Sequence, residues 1–241
     1  MEHPKTMPDL ILASASPRRS ELLGLLGIPF RTIVSNVPED DIPKKSSRLL
    51  SDADFLDAAR LASVNLARRK ATAILTNYPE SVVIGADTLV VTEDEILGKP
   101  DTLGHAVKML RLLSGRAHKV FTGVSIQTKG RSVEFCSEAK VTFYPLDAVQ
   151  ETLIQKYTAS GSPMDKAGAY GIQDEGALLI SFVEGDYYAV VGLPISRLAR
   201  EISLFGFEPD LCNPASFVND SCADFPTPED LLEEGTPLCP D

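Results

Sequence analysis

Short unbroken apolar runs alternate along this chain with longer stretches that carry leucine or alanine at helical spacing. The run LILA at residues 10–13 predicts a buried strand, and residues 17–26, PRRSELLGLL, predict a helix with Gly27 just past its end, the usual place for a left-handed cap. A second strand is expected over 30–34, followed by a polar loop over 35–47 that holds Pro38 and Pro43. Residues 52–75 are rich in Ala, Leu and Arg and lack Gly and Pro, which predicts a long helix. SVVIGAD at 81–87 predicts a short apolar strand ending in a carboxylate, and LVVTEDEIL at 89–97 a hairpin turning at TEDE. A helix over 105–115 closes on Gly115; two long strands follow, 119–128 and 132–143, joined by KGR, and then a helix over 147–160. SGSPMDKAGAYGIQDEG at 160–176 reads as a Gly-rich loop. Residues 177–192 predict two strands around a Gly-Asp turn, and a last helix starts near Pro194. Hairpins mixed with crossovers predict an α/β fold, a mixed twisted sheet flanked by helices.

Composition adds few constraints until charge is mapped onto position. A chain of 241 residues suits one large domain, expected over 1–207, and needs no disulfide or metal to fold. The net charge is −11, yet the body through Arg200 holds 24 acidic residues against 23 basic ones, and ten acidic residues follow it. A nearly neutral body fits a small-molecule enzyme better than a nucleic-acid binder, which would show a basic face. Residues 208–241 form an acidic, proline-containing tail without hydrophobic period, expected to be loosely packed. No apolar run approaches the roughly 18 residues of a membrane span, and the first ten residues lack the apolar core of a signal peptide, so a cytoplasmic protein is expected. Cys212, Cys222 and Cys239 lie in the tail at spacings that match no metal motif, and Cys136 lies in the body; reduced thiols are the expectation.

The candidate chemistry begins where the first strand meets the first helix. Ser16 is a suitable N-cap and Pro17 a suitable first helical residue, which puts Arg18 and Arg19 in the first turn beside free backbone N–H groups. Cations there oppose the helix dipole by about 0.3–1 kcal/mol each, so helix stability does not explain them, whereas a bound phosphate would. Spacing alone equally allows two solvated arginines. Asp87, after two small residues that permit close approach, reads as a metal ligand or general base, or else as an Asp opening a turn. Glu39, Lys70, Lys99 and Lys166 add charges from separate loops and element ends, the pattern of an anion site assembled from many segments. Neither a dinucleotide fingerprint nor a P-loop is present, and His3, His105 and His118 form no zinc motif.

Together SASPRR, ARRKA, GADT, LGKP, MLRLLSGRAHKVFTGV and SGSPMDKAGAYGIQ resemble the Maf family of nucleoside triphosphate pyrophosphatases over about residues 10–207. The resemblance implies a fold like that of the inosine-triphosphatase superfamily, a divalent cation (Mg²⁺ or Mn²⁺), and hydrolysis of a nucleoside triphosphate to the monophosphate and pyrophosphate. By position Asp87 matches the family's proton acceptor, and Arg19, Glu39, Lys70 and Lys99 match the charged residues around phosphates and metal, with Glu39 and Asp87 as the metal pair. Ser14, Ser16 and Lys166 stand in the same motifs and are expected to bind substrate. Arg18, Thr88 and Gln173 occupy the three places where subgroups differ, and match the branch cleaving dTTP and UTP, not the 7-methyl-GTP branch. Ser162 departs from the Glu that many members carry there. The family also implies a homodimer, while the charge distribution and the lack of a long apolar run lead to the expectation of no nucleic-acid or membrane partner. The rival readings are a non-catalytic, nucleotide-binding regulator of cell division and an enzyme for modified or non-pyrimidine nucleotides.

Overall fold

A computed structural model of the chain describes residues 8–37 and 52–211. Strand β1 (Leu10–Ala13) is buried at every position and runs into helix α1 (Pro17–Gly24). β1 lies parallel to the two-residue β2 (Arg31–Thr32) on one side and to the first half of β3 (Val82–Val91) on the other. β3 pairs antiparallel with β4 (Ile96–Leu97), which closes the predicted hairpin, and with β5 (Ala117–Thr128). β6 (Arg131–Phe143) and β7 (Ile180–Gly185) complete a seven-stranded mixed sheet in the order β2-β1-β3-β5-β6-β7, with β4 alongside β3.

The period of two along β3 sends its side chains to opposite faces, and each face is covered by helices. Val83, Leu89 and Val91 pack beneath α2 (Asp52–Leu75) with Phe55, Ala59, Leu66 and Ala71. Val82, Ile84 and Ala86 pack on the other face with Leu22 and Leu23 of α1 and Leu198 of the last helix. Val90, farther along that face, meets α3 (Leu103–Leu113) and α4 (Ala148–Ala159) through Leu110 and Ile154.

α2 approaches the sheet closely because two strand residues have no side chain. A Cβ on Gly85 would lie 2.1 Å from the Ala67 carbonyl oxygen, and one on Gly123 would lie 2.3 Å from the carbonyl carbon of Ser63. The helix backbone therefore rests on the strands themselves.

One interruption in the sheet locates the site. β1 pairs with residues 82–85 of β3 and β4 pairs with 90–91, so residues 86–89 have no strand partner on that edge among the described residues. This window lies beyond the C-terminal end of β1, beside the start of α1, where open α/β sheets bind ligands.

Four expectations need correction. The strand expected over 30–34 is only Arg31–Thr32, because it finds just Ile11 and Leu12 of the short β1 to pair with. The helix expected over 17–26 ends at Gly24, and Gly27 takes a left-handed φ of 64° outside it. Asp87 does not end its strand but sits inside the ten-residue β3, which continues into the hairpin. The second strand expected within 177–192 is helix α5 (Tyr187–Val191): the Asp186 side chain accepts from the N–H groups of Tyr188 and Ala189, and these caps override the β preference of the valines. α6 (Ile195–Ile202) begins where expected. The tail cysteines and residues 212–241 lie outside the described residues, as do His3 and Glu39.

Candidate active site

The window in β3 opens into a cleft whose lining mixes charged and apolar side chains. Of the predicted residues, Ser16, Arg18, Arg19, Lys70, Asp87, Thr88, Lys99, Lys166 and Gln173 all line it. Ser14 does not: it is buried beside the cleft, and its hydroxyl accepts from the backbone N–H of Ser16 at 3.1 Å, fixing the chain between β1 and α1. The Ser16 side chain makes no cap hydrogen bond to α1, whose first turn carries the two arginines.

Asp87 and Thr88 are neighbours on β3 whose side chains enter this window from opposite faces of the sheet. On the α2 face, Asp87 is 5% exposed and accepts from Lys70 Nζ at 2.5 Å. Lys70 reaches it because Gly85 and Gly123 let α2 sit on the strands, and Gly123 is the residue opposite Asp87 on β5. On the other face, Arg19 donates through Nη2 to Thr88 Oγ1 at 3.0 Å and through Nε to the Gly192 carbonyl at 2.8 Å. Gly192 closes α5 with φ 122°, a conformation that side chains rarely adopt, and so turns its carbonyl back toward α1.

The third wall is the loop after α4. Its turn places Gly168 and Ala169 at φ 69° and 62°, and Ala169 is the only non-glycine residue with positive φ among the described residues. Strain of this kind collects at ligand sites. Lys166, 8% exposed, has four oxygens within reach of its three N–H bonds: the Ser162 carbonyl (2.5 Å) and hydroxyl (3.1 Å), Asp165 (2.9 Å) and Asp174 (3.2 Å). It is therefore already matched by its own loop. Asp165 also accepts from Arg18 Nη1 at 2.8 Å, the contact that ties this wall to α1. Burial opposes ionisation of Asp165, but hydrogen bonds from Lys166 and Arg18 outweigh it and hold its carboxyl below the usual range. Tyr157 binds Asp174 at 3.0 Å and receives the Gly171 N–H at 3.0 Å, bracing the segment that carries Gln173.

Asp165, Asp174, Thr122 and Gly192 are site residues that the sequence pattern does not mark. Asp165 adjoins Lys166 in PMDKAG, so an acid beside a candidate cation was the available signal; Thr122 lay hidden in a strand run. Among the described residues no three His, Cys, Asp or Glu side chains gather as a metal cluster. Asp87 still suits a hard cation, since Mg²⁺ in phosphate chemistry is commonly held by one or two carboxylates with phosphate oxygens and water supplying the rest. No helix among the described residues is long and apolar enough to cross a membrane.

Comparison with known proteins gives the family. A family model described as "Maf-like protein" matches residues 9–205. A dTTP/UTP pyrophosphatase of Bacillus anthracis (strain CDC 684) is 46% identical over 202 residues, covering 84% of this chain and 98% of its own. Proteins of the same name from Bacillus cereus (strain ATCC 10987) and Bacillus velezensis are 46% and 48% identical over 204 and 199 residues, covering 85% and 83% of this chain and 93% and 97% of theirs. By the family match over residues 9–205 and these identities, the chain belongs to the Maf-like protein family.

Proposed function

We propose that this protein hydrolyses dTTP and UTP, at the bond between the α- and β-phosphates, to the monophosphate and pyrophosphate. The observation that carries the reading is a buried carboxylate, Asp87, in a cleft also lined by Arg18, Arg19, Lys70, Lys99 and Lys166. A triphosphate brings roughly four negative charges, and its cleavage requires their neutralisation and a stabilised leaving group. Arg19, Lys70 and Lys99 supply fixed positive charge for the leaving pyrophosphate. Asp87 takes the proton of the attacking water as its oxygen bonds to the α-phosphorus and the bridging oxygen leaves with the β-phosphate. A divalent cation, Mg²⁺ or Mn²⁺, held by Asp87 and, as the family resemblance implies, Glu39, would supply charge stabilisation on the phosphate oxygens. Arg18, Thr88, Gln173 and the loop carrying Lys166 form the remaining wall, for the sugar and base.

A panel of nucleoside triphosphates with Mg²⁺ or Mn²⁺, scored for pyrophosphate, tests the reading: dTTP and UTP are expected to lead. Asp87→Asn is expected to lower kcat by about two to four orders of magnitude, the range for loss of a general base. Saturable nucleotide binding without pyrophosphate release would instead establish the regulatory reading. The same proposal places the protein in the cytoplasm as a homodimer, measurable by fractionation and light scattering.

A further inference from the structure

A short chain of hydroxyl groups leads from the cleft wall into the sheet, and its direction can be worked out from the atoms alone. Thr122 on β5 stands directly opposite Thr88 on β3, is fully buried, and does not line the cleft. Its Oγ1 lies 2.7 Å from the Ala189 carbonyl oxygen, which only accepts, so the single hydroxyl proton of Thr122 goes there. The 2.9 Å contact between the Thr88 and Thr122 hydroxyls must then use the proton of Thr88. A guanidinium only donates, so the 3.0 Å contact from Arg19 Nη2 occupies one lone pair of Thr88 Oγ1. What Thr88 has left for anything in the cleft is its second lone pair.

We infer that Thr122 is a specificity-determining positioning residue: by receiving the Thr88 proton it makes Thr88 an acceptor only, so that the site favours a nucleotide base presenting an N–H there. This rests on the pyrimidine reading above. Uracil and thymine carry a proton on ring N3, whereas N3 of cytosine is a bare lone pair. Lone pair facing lone pair is left unpaired in a desolvated cleft, and sites built to hydrogen-bond a particular group reject its counterpart strongly. A sugar hydroxyl is the other donor a nucleotide could offer, but UTP and CTP share it, so comparing those two isolates the base.

The test is the ratio of kcat/KM for UTP to that for CTP in wild type and in Thr122→Val, which keeps the shape and removes the hydroxyl. Freed of its acceptor, the Thr88 hydroxyl can turn and donate to cytosine, and the ratio is expected to fall about tenfold. Thr122→Ser keeps the hydroxyl and is expected to keep the wild-type ratio. In a Thr88→Val background, adding Thr122→Val is expected to leave the ratio where Thr88→Val alone sets it. A purely structural role for Thr122 would lower both activities together and leave the ratio unmoved, and that result overturns the inference, as does loss of discrimination in Thr122→Ser. Thr122→Ala asks the same question should Thr122→Val not fold. A wild type that prefers UTP with an unchanged ratio in the variants overturns this inference alone; a wild type that cleaves neither overturns the proposed function and this inference with it.

Discussion

Single buried polar side chains here do two kinds of work, and their partners separate them. Lys70 and Asp87 form a largely buried ion pair that lines the cleft, whereas His118, 3% exposed, is hydrogen-bonded only to the Tyr170 hydroxyl, 2.7 Å from Nε2, and its Nδ1 has no partner among the described residues. Phe143 and Tyr170 meet the ring edge-on, each with centroids 5.5 Å away. Burial drives the His118 pKa down to about 4, so the folded protein holds it neutral while the unfolded chain protonates near 6.5. Its contribution to stability is thus complete above pH 6.5 and is lost as pH falls toward about 4, to a total of about 3 kcal/mol. Urea unfolding of wild type and His118→Gln between pH 7 and 4 is expected to show the steeper acid loss in wild type; parallel curves would exclude His118 as the cause. Sequence could name most charged residues of the cleft because Arg and Lys at a helix start or in a loop are conspicuous. It could not show that Lys166 is matched by Ser162, Asp165 and Asp174, since those partners depend on how one loop folds back on itself.

At the level of elements, the contact between α2 and the sheet sets the distance from Lys70 to Asp87. Adding a methyl at Gly85 or Gly123 would force the helix away from the strands, at about 1–3 kcal/mol for overpacking. Gly85→Ala and Gly123→Ala are therefore expected to lower the melting temperature and to reduce kcat/KM beyond what the lost folded fraction explains. Gly130→Ala, whose added Cβ would meet nothing within 4 Å, is the control and is expected to stay within about 0.5 kcal/mol of wild type. Long periodic elements were legible: α2, the β3–β4 hairpin and the β5–β6 pair all appear where the pattern put them. Of the two small residues before Asp87, Gly85 makes room for the α2 backbone, while Ala86 packs on the opposite face of the sheet. α5 was illegible because five residues carry too little periodicity to outweigh two valines, and only its caps reveal it.

For the molecule as a whole, the acidic excess of the sequence begins close to the last core residue among the described ones. Phe207 is 3% exposed in the core beside α1, and the Asp210 N–H donates to the Leu26 carbonyl at 2.8 Å, after which the sequence is acidic and proline-containing. We propose that the catalytic unit ends here. A chain ending at Leu211 is expected to match the full protein in kcat/KM and melting temperature, whereas one ending at Gly206 loses a buried Phe, worth about 3–5 kcal/mol. Calorimetry and pyrophosphate release on the two shortened proteins decide the point.

The short length of β1 has one more consequence. The backbone veers off at Ser14, whose hydroxyl catches the N–H of Ser16, and Pro17 then has no N–H with which to resume pairing. Residues able to continue along β3 would zip that edge shut, yielding a sturdier sheet with no doorway for a nucleotide.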